Sequence, residues 1–149
     1  MGTFVGRDVL VEFAIANEDA TIGSLTYNKL GMYRGQAIDT TWETVDSTAS
    51  DSANFTKTNL VTFKNVTLSM DGVSYDDAVH NQETLEAHVV NPPSTTSYQP
   101  KVWFKVTYPS GKIYEGPFII TKWGNSVPYA DVATWSIEAM SNGAVTCTL

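Results

Sequence analysis

Val102-Trp103-Phe104-Lys105-Val106-Thr107-Tyr108-Pro109-Ser110-Gly111-Lys112-Ile113-Tyr114-Glu115-Gly116 decides how this chain folds. Val102, Phe104, Val106 and Tyr108 alternate with Trp103, Lys105 and Thr107, the period of a strand with two unlike faces. Pro109 presets the first corner of a tight turn, and Gly111 can take the positive φ that closes it. A second β-branched run covers residues 113–123. Gly116-Pro117 inside it predicts a bulge or an edge position, because proline donates nothing to a ladder. Residues 124–128 form a loop. Residues 132–140 are a third strand, with Ala133, Trp135, Ile137 and Ala139 on one face and Thr134, Ser136 and Glu138 on the other. Asn142-Gly143 turns the chain into a short last strand, residues 144–148. The whole stretch predicts an antiparallel meander of three or four strands.

Upstream, residues 1–8 contain Gly2 and Gly6 and little periodicity, and read as a flexible arm. Residues 9–16 are a strand with Val9, Val11, Phe13 and Ile15 on one face. Residues 25–34 read as a strand bent at Gly31. Residues 38–45 and 59–70 form the two arms of one long hairpin, 38–70, whose tip is 46–59. Leu60, Val66, Leu68 and Met70 share one parity of the second arm, and Val61 and Phe63 the other. The tip holds small polar side chains and no apolar period, so it cannot bury enough to order itself. Residues 75–90 predict a helix with Asp76 and Asp77 in its first turn, where carboxylates suit the dipole. Gln82, Leu85 and Val89 share a narrow stripe with Ala78, and Pro92-Pro93 ends the helix. The expected fold is mainly β: an antiparallel β-sandwich or barrel-like domain over residues 1–149, with one flanking helix and a long protruding hairpin.

A chain of 149 residues can bury a sizeable core without staples. Charged residues make up only 17%, and Thr, Ser and Asn take their place. A neutral polar surface suits packing against copies of itself, since little charge is desolvated. Net charge is −7, and the first 80 residues carry 11 acids against 5 bases. An acidic chain does not grip phosphate backbones, so coating or reading of nucleic acid is disfavoured. Cys147 is the only cysteine, which excludes an intrachain disulfide. Neither a signal peptide nor a membrane-spanning run is expected, which places synthesis and work in a cytoplasm.

Chemistry-bearing patterns are sparse. His80 and His88 lie eight apart, not the four that would join both imidazoles on one metal. Asp76, Asp77 and His80 could meet over one helical turn and hold a cation, or could simply be an acidic first turn with a solvated histidine. Asp46 and Asp51 lack the dense ligands of a calcium loop. No nucleophile elbow or phosphate-cradling glycine loop occurs. Cys147 reads as a small packed side chain. Glu115 and Glu138, on neighbouring strands, could face each other as an acid pair or form the wet face of a sheet. Trp103 shares the parity of Lys105 and could be exposed, which keeps a carbohydrate-binding β-sandwich module open as an alternative.

Residues 42–143 resemble the major tail tube proteins of long, non-contractile-tailed bacteriophages. The likeness is carried by the hairpin with its Asp/Ser/Thr tip and by Phe63-Lys64-Asn65-Val66-Thr67-Leu68-Ser69-Met70-Asp71-Gly72 running into a helix. It is carried also by the stretch quoted first, by Trp123-Gly124, and by Asp131-Val132-Ala133-Thr134-Trp135-Ser136-Ile137. The resemblance implies a non-enzymatic structural subunit without catalytic residues, metal or cofactor. It implies hexameric rings whose strands join into an inner barrel, stacked into a tube through which DNA passes without specific binding. Its place would be the virion tail, and the host cytoplasm during assembly. Its partners would be copies of itself and the tape-measure and other tail proteins, and no membrane. A related tail or secretion-tube ring protein of the same fold is the alternative within this class. The hairpin tip would touch a neighbouring ring through Asp46, Ser47, Thr48, Ser50, Asp51, Asn54, Phe55 and Lys57. Acids whose parity opposes the apolar face are candidates for the bore: at least two of Glu12, Asp39, Glu43 and Glu138 are expected to line it, the alternative being ordinary outer-surface acids.

Overall fold

The computed structural model describes residues 8–31, 33–47, 56–74 and 81–149. The strands are β1 (Leu10–Ala14), β2 (Asn28–Lys29), β3 (Tyr33–Asp46), β4 (Asn59–Val73), β5 (Lys101–Thr107), β6 (Ile113–Ser126), β7 (Thr134–Ser141) and β8 (Thr146–Thr148). One helix, α1 (Gln82–Val90), lies between β4 and β5. Every pairing is antiparallel, in the order β2-β1-β5-β6-β7-β4-β3, with β8 added to β6. Side chains of β1 (Val11, Phe13) and of β4 (Val66, Leu68, Met70) share one core with Val102, Phe104, Phe118 and Ile137. These strands stand far apart in the order, so the sheet curls round its own apolar face. This is the expected antiparallel, barrel-like β fold with a single described helix. Each fully buried Phe, Leu or Val contributes about 1.5–3 kcal/mol relative to exposure.

The period of two holds where the chain is packed. In β5, Val102, Phe104 and Val106 are buried. Trp103 breaks the pattern: it lies on the other parity yet is only 5% exposed, and its Nε1 donates to the Asn17 carbonyl at 2.8 Å. The turn after β1 folds over it, and the Lys101–Glu18 ion pair at 3.0 Å fastens the same turn. Trp103 is therefore not displayed, contrary to the parity argument.

Gly116-Pro117 marks a change of partner. On one side β6 pairs with β5 from Ile113 to Ile119; on the other it pairs with β8 over Ile113–Glu115 and with β7 from Phe118 onward. The Pro117 carbonyl accepts from Asn142 N at 2.9 Å, so the missing N–H faces the gap between β8 and β7, where it costs no ladder bond. The irregularity in β6 lies instead between Ile120 and Lys122. A Cβ on Gly116 would sit 2.7 Å from Val145 Cα, so glycine is needed for the crossing of the last segment. That crossing corrects the sequence expectation for residues 144–148. They do not form a hairpin with β7; Gly143, at φ 149°, carries the chain over Pro117 onto β6.

Two other boundaries shift. Residues 25–34 give only the short β2, and β3 starts at Tyr33, so the first arm of the hairpin is longer than expected. The helix does not run unbroken over 75–90. Asn81 has a left-handed backbone (φ 59°), which interrupts helical geometry, and α1 begins at Gln82. Residues 75–80, with Asp76, Asp77, Ala78 and His80, lie outside the described residues. Gln82 anchors the helix from within, its Nε2 donating to the carbonyls of Gly31 (2.9 Å) and Val73 (3.0 Å). Leu85 is buried beside it and Val89 half-buried, as the stripe predicts, and His88, which the stripe did not include, is buried as well.

Candidate assembly surfaces

The β3–β4 hairpin changes character along its length. From Thr67 to Val73, β4 is flanked by β7 on one side and β3 on the other. The Ser141 hydroxyl closes the last row, accepting from Val66 N at 3.0 Å and donating to Asn65 Oδ1 at 3.2 Å. Beyond that point, among the described residues, β4 has only β3 beside it, as far as Asp46 opposite Asn59. This distal ribbon carries Trp42, Val45, Leu60, Val61 and Phe63, each about half or more exposed, with Phe63 at 73%. A register shift between Trp42 and Thr44 places Val61, opposite Thr44, on the face of Trp42 and Lys64. Leu60, opposite Val45, falls on the other face, so its parity with Val66 is broken by the shift. Apolar groups thus occupy both faces. Lys64 Nζ lies 5.9 Å from the Trp42 ring, and Ser47 N donates to the Thr58 carbonyl at 2.9 Å. A two-stranded ribbon without a core is marginal alone, and this one leaves apolar groups exposed on both faces.

Of the expected tip contacts, Asp46 ends β3, Ser47 pairs with Thr58, and Lys57 is exposed. Thr48, Ser50, Asp51, Asn54 and Phe55 lie outside the described residues. The apolar stem was not singled out as a surface from sequence. Its signal was present in the apolar residues on both parities of residues 60–63.

The second surface is the face of β6, β7, β4 and β3 that points away from the core. Its rows are Gly35–Asp71–Ser136–Gly124, Ala37–Ser69–Glu138–Lys122 and Asp39–Thr67–Met140–Ile119. The intervening residues Leu68, Ile137 and Ala139 are buried. Asp39 and Glu138 lie on this face, and Glu43 continues along β3 beside the register shift, its carbonyl accepting from Thr62 Oγ1 at 3.3 Å. Glu12 does not join them. It stands in the row Lys29–Glu12–Lys105–Glu115 on the β1–β5 half of the sheet. Tyr27 covers that row, donating from its hydroxyl to Glu115 Oε2 at 2.5 Å with Lys105 Nζ 5.5 Å from its ring. Burial first, and then this carboxylate, push the Tyr27 hydroxyl far above its ordinary pKa. Asp71 and Lys122 on the same outward face were missed from sequence, because only the register shows them level with Ser136 and Glu138.

The third feature is a pair of unlike edges. β3 ends the sheet order, and among the described residues β6 has no strand partner on its β5 side over residues 121–126.

Catalytic constellations fare differently. Glu115 pairs across Lys105 and Thr146, and Glu138 across Lys122 and Ser69, so they do not face each other. Cys147 is exposed on β8, not packed. His88 is buried, its Nε2 2.9 Å from the Lys101 carbonyl and its Nδ1 unpartnered; burial holds its pKa below the ordinary value. Among the described residues no three His, Cys, Asp or Glu side chains group as metal ligands. No described helix is long and apolar enough to cross a membrane. Trp135 is buried and Trp123 stacks on it, ring centroids 5.7 Å apart, which leaves Trp42 of the ribbon as the exposed tryptophan.

The chain is similar to solved tail structures over nearly its full length. It superposes on a chain from the tail of an empty gene transfer agent particle, refined with C6 symmetry, with a TM-score of 0.73 at 22% identity, covering 99% of this chain and 100% of that one. A tube of the SPP1 tail gives 0.65 at 14% identity, covering 98% and 79%. The sheath/tube terminator of an extracellular contractile injection system gives 0.65 at 9% identity, covering 100% and 99%. No curated protein sequence matches. The family model of phage tail tube proteins matches residues 3–147, and the chain belongs to that family.

Proposed function

We propose that six copies of this chain close into a ring, and that rings stack into the hollow tube of a virion tail. The observation that carries the reading is the β6-β7-β4-β3 half-sheet, with two unlike open edges and a polar face turned from the core. Unlike edges suit a heterologous contact, β3 of one subunit against residues 121–126 of the next, and such contacts propagate round a ring until it closes. Joined this way, the half-sheets form an inner barrel whose wall is the outward face. A long bare edge such as β3 is otherwise a template for uncontrolled pairing. The C6 symmetry of the gene transfer agent tail supports the number six.

The wall then carries Asp39, Asp71, Glu138 and, along β3, Glu43, with Lys122 and Arg34 beside Asp71 and serines and threonines between. Acids outnumber bases, so sliding DNA meets a wettable surface with little to hold its phosphates. Repeated round a ring, the excess becomes a band of like charge acting within about 8–10 Å of the wall. The tube would be assembled in the host cytoplasm around a tape-measure protein. Negative-stain images and sedimentation of the purified protein test the reading. Tubes or stacked sixfold rings are expected; a monodisperse monomer at all concentrations would refute it.

A further inference from the structure

Resting on the tube reading, we infer that the groove beside α1 is a lysine slot, filled by the Lys112 ammonium of the adjacent copy in the same ring, on the core side of the strand seam. The groove, of about 570 Å³, opens between α1 and the end of β6, with Glu83, Glu86, Trp123 and Asn125 in its lining. Its polar groups are already linked to one another. Trp123 Nε1 donates to Asn125 Oδ1 at 3.3 Å, and Asn125 Nδ2 donates to Glu86 Oε2 at 2.5 Å. Trp123 also stacks on the buried Trp135, with ring planes 14° apart. The slot is therefore held in shape before anything enters it, which lowers the cost of binding. Two carboxylates beside an indole, with no base in the lining, suit an ammonium or a guanidinium.

Register names the occupant. Gln36 pairs with Met70, Met70 with Ile137, and Ile137 with Trp123. Gln36 and Trp123 thus end one row, at the two unlike edges of the half-sheet. Met70 and Ile137 are buried, so this row faces the core side. Where β3 of one copy joins residues 121–126 of the next, the row runs on from Gln36 to the neighbouring Trp123. Gln36 Nε2 donates to the Tyr108 hydroxyl at 3.4 Å, which sets the turn of residues 108–112 over the β3 edge. Lys112 Nζ stands on that turn, 4.3 Å from the Tyr108 ring centroid and 5.6 Å from that of Tyr114. Other bases of this half of the molecule are placed elsewhere. Arg34 and Lys122 line the outward face with Asp71, and Lys64 lies against Trp42 on the ribbon. Asp8 flanks the turn, two residues before the Leu10 that pairs with Thr107. The fit thus rests on where one ammonium stands, not on the net charge of the turn. Within one subunit the edges are three strand spacings apart, about 14 Å, so the pair forms only between copies.

Zero-length carbodiimide coupling of assembled wild-type protein tests this, using a mixture of 15N-labelled and unlabelled chains. Mass spectrometry should find Lys112 joined to Glu86 or Glu83, with labelled and unlabelled chains linked to each other, and the covalent ladder from this link should end at six chains. Tubes or rings without that link, or with it only inside one chain, would overturn the inference. Failure of the wild-type protein to assemble would instead count against the tube reading. Charge reversal gives a second readout. Lys112→Glu and Glu86→Lys should each raise the concentration for half-maximal ring assembly by about tenfold, and the double variant should recover most of that loss. Simple addition of the two losses would refute the pairing. Rescue of Arg34→Glu by Glu86→Lys, with Lys112→Glu assembling normally, would give the slot to arginine and refute the assignment to Lys112.

Discussion

The two halves of β4 have nearly the same kind of sequence and opposite fates. Over Val66–Met70 alternate side chains are buried in the core; over residues 59–64 every residue is exposed. Leu68 is 1% exposed and Leu60 is 61% exposed, in one strand and eight residues apart. The difference is not propensity but neighbours. The inner half has strands on both sides, whereas among the described residues the outer half has β3 alone. Apolar residues in the first serve folding of the subunit; in the second they are left exposed, as the proposed assembly requires.

That contrast breaks most sharply under truncation. Leu68→Ala should cost about 2–5 kcal/mol of subunit stability, read by denaturant unfolding, because it leaves a cavity. Leu60→Ala should change subunit stability by about 0.5 kcal/mol or less and still impair tube formation. Equal losses would show that the ribbon is packed within the subunit. Gly116→Val probes the core half next. Val145 Cα stands 2.7 Å from the added Cβ, so β8 must lift, with an expected loss of about 1–3 kcal/mol. Wild-type thermal stability from this variant would mean that the terminal crossing is loose.

Acid should act on the packed half and spare the ribbon. His88 is buried with Nδ1 unpartnered, and burial lowers its folded pKa below the unfolded value of 6.5. A base with a depressed folded pKa favours unfolding when it charges. Stability therefore falls as pH drops below about 6.5 and levels off below the folded pKa. The His88→Gln variant should show a shallower decline of melting temperature across that window; an identical decline would place the acid sensitivity elsewhere. The smallest effect on structure is expected at the outward face. Asp39→Lys with Glu138→Lys should leave tubes intact and slow DNA passage most at low salt. Ejection at the normal rate would remove the electrostatic role of the wall.

Much of this was readable without coordinates. Period-two runs identified β1, β5 and β7, and Pro109 with Gly111 marked the β5–β6 turn, because local sterics decide those features. The partner change at Gly116-Pro117 was not readable: glycine and proline announce an exception, but only the crossing of Val145 says which one. Trp103 misled because parity ignores what a later turn folds over it. Asn81 adopted a left-handed backbone where the apolar stripe suggested a continuous helix. The outward face was half visible. Parity separated Asp39 and Glu138 from the core, but Glu12 shares that parity and belongs to a different half of the sheet, since strand order is a long-range property.

Ring closure through unlike sheet edges is the claim on which the rest depends. A cryo-EM reconstruction of assembled tubes tests it most directly. The account predicts sixfold rings in which β3 of each subunit hydrogen-bonds residues 121–126 of its neighbour, with Asp39 and Glu138 facing the bore. Rings in which β3 stays solvent-exposed, or in which this face lies on the tube exterior, would contradict it.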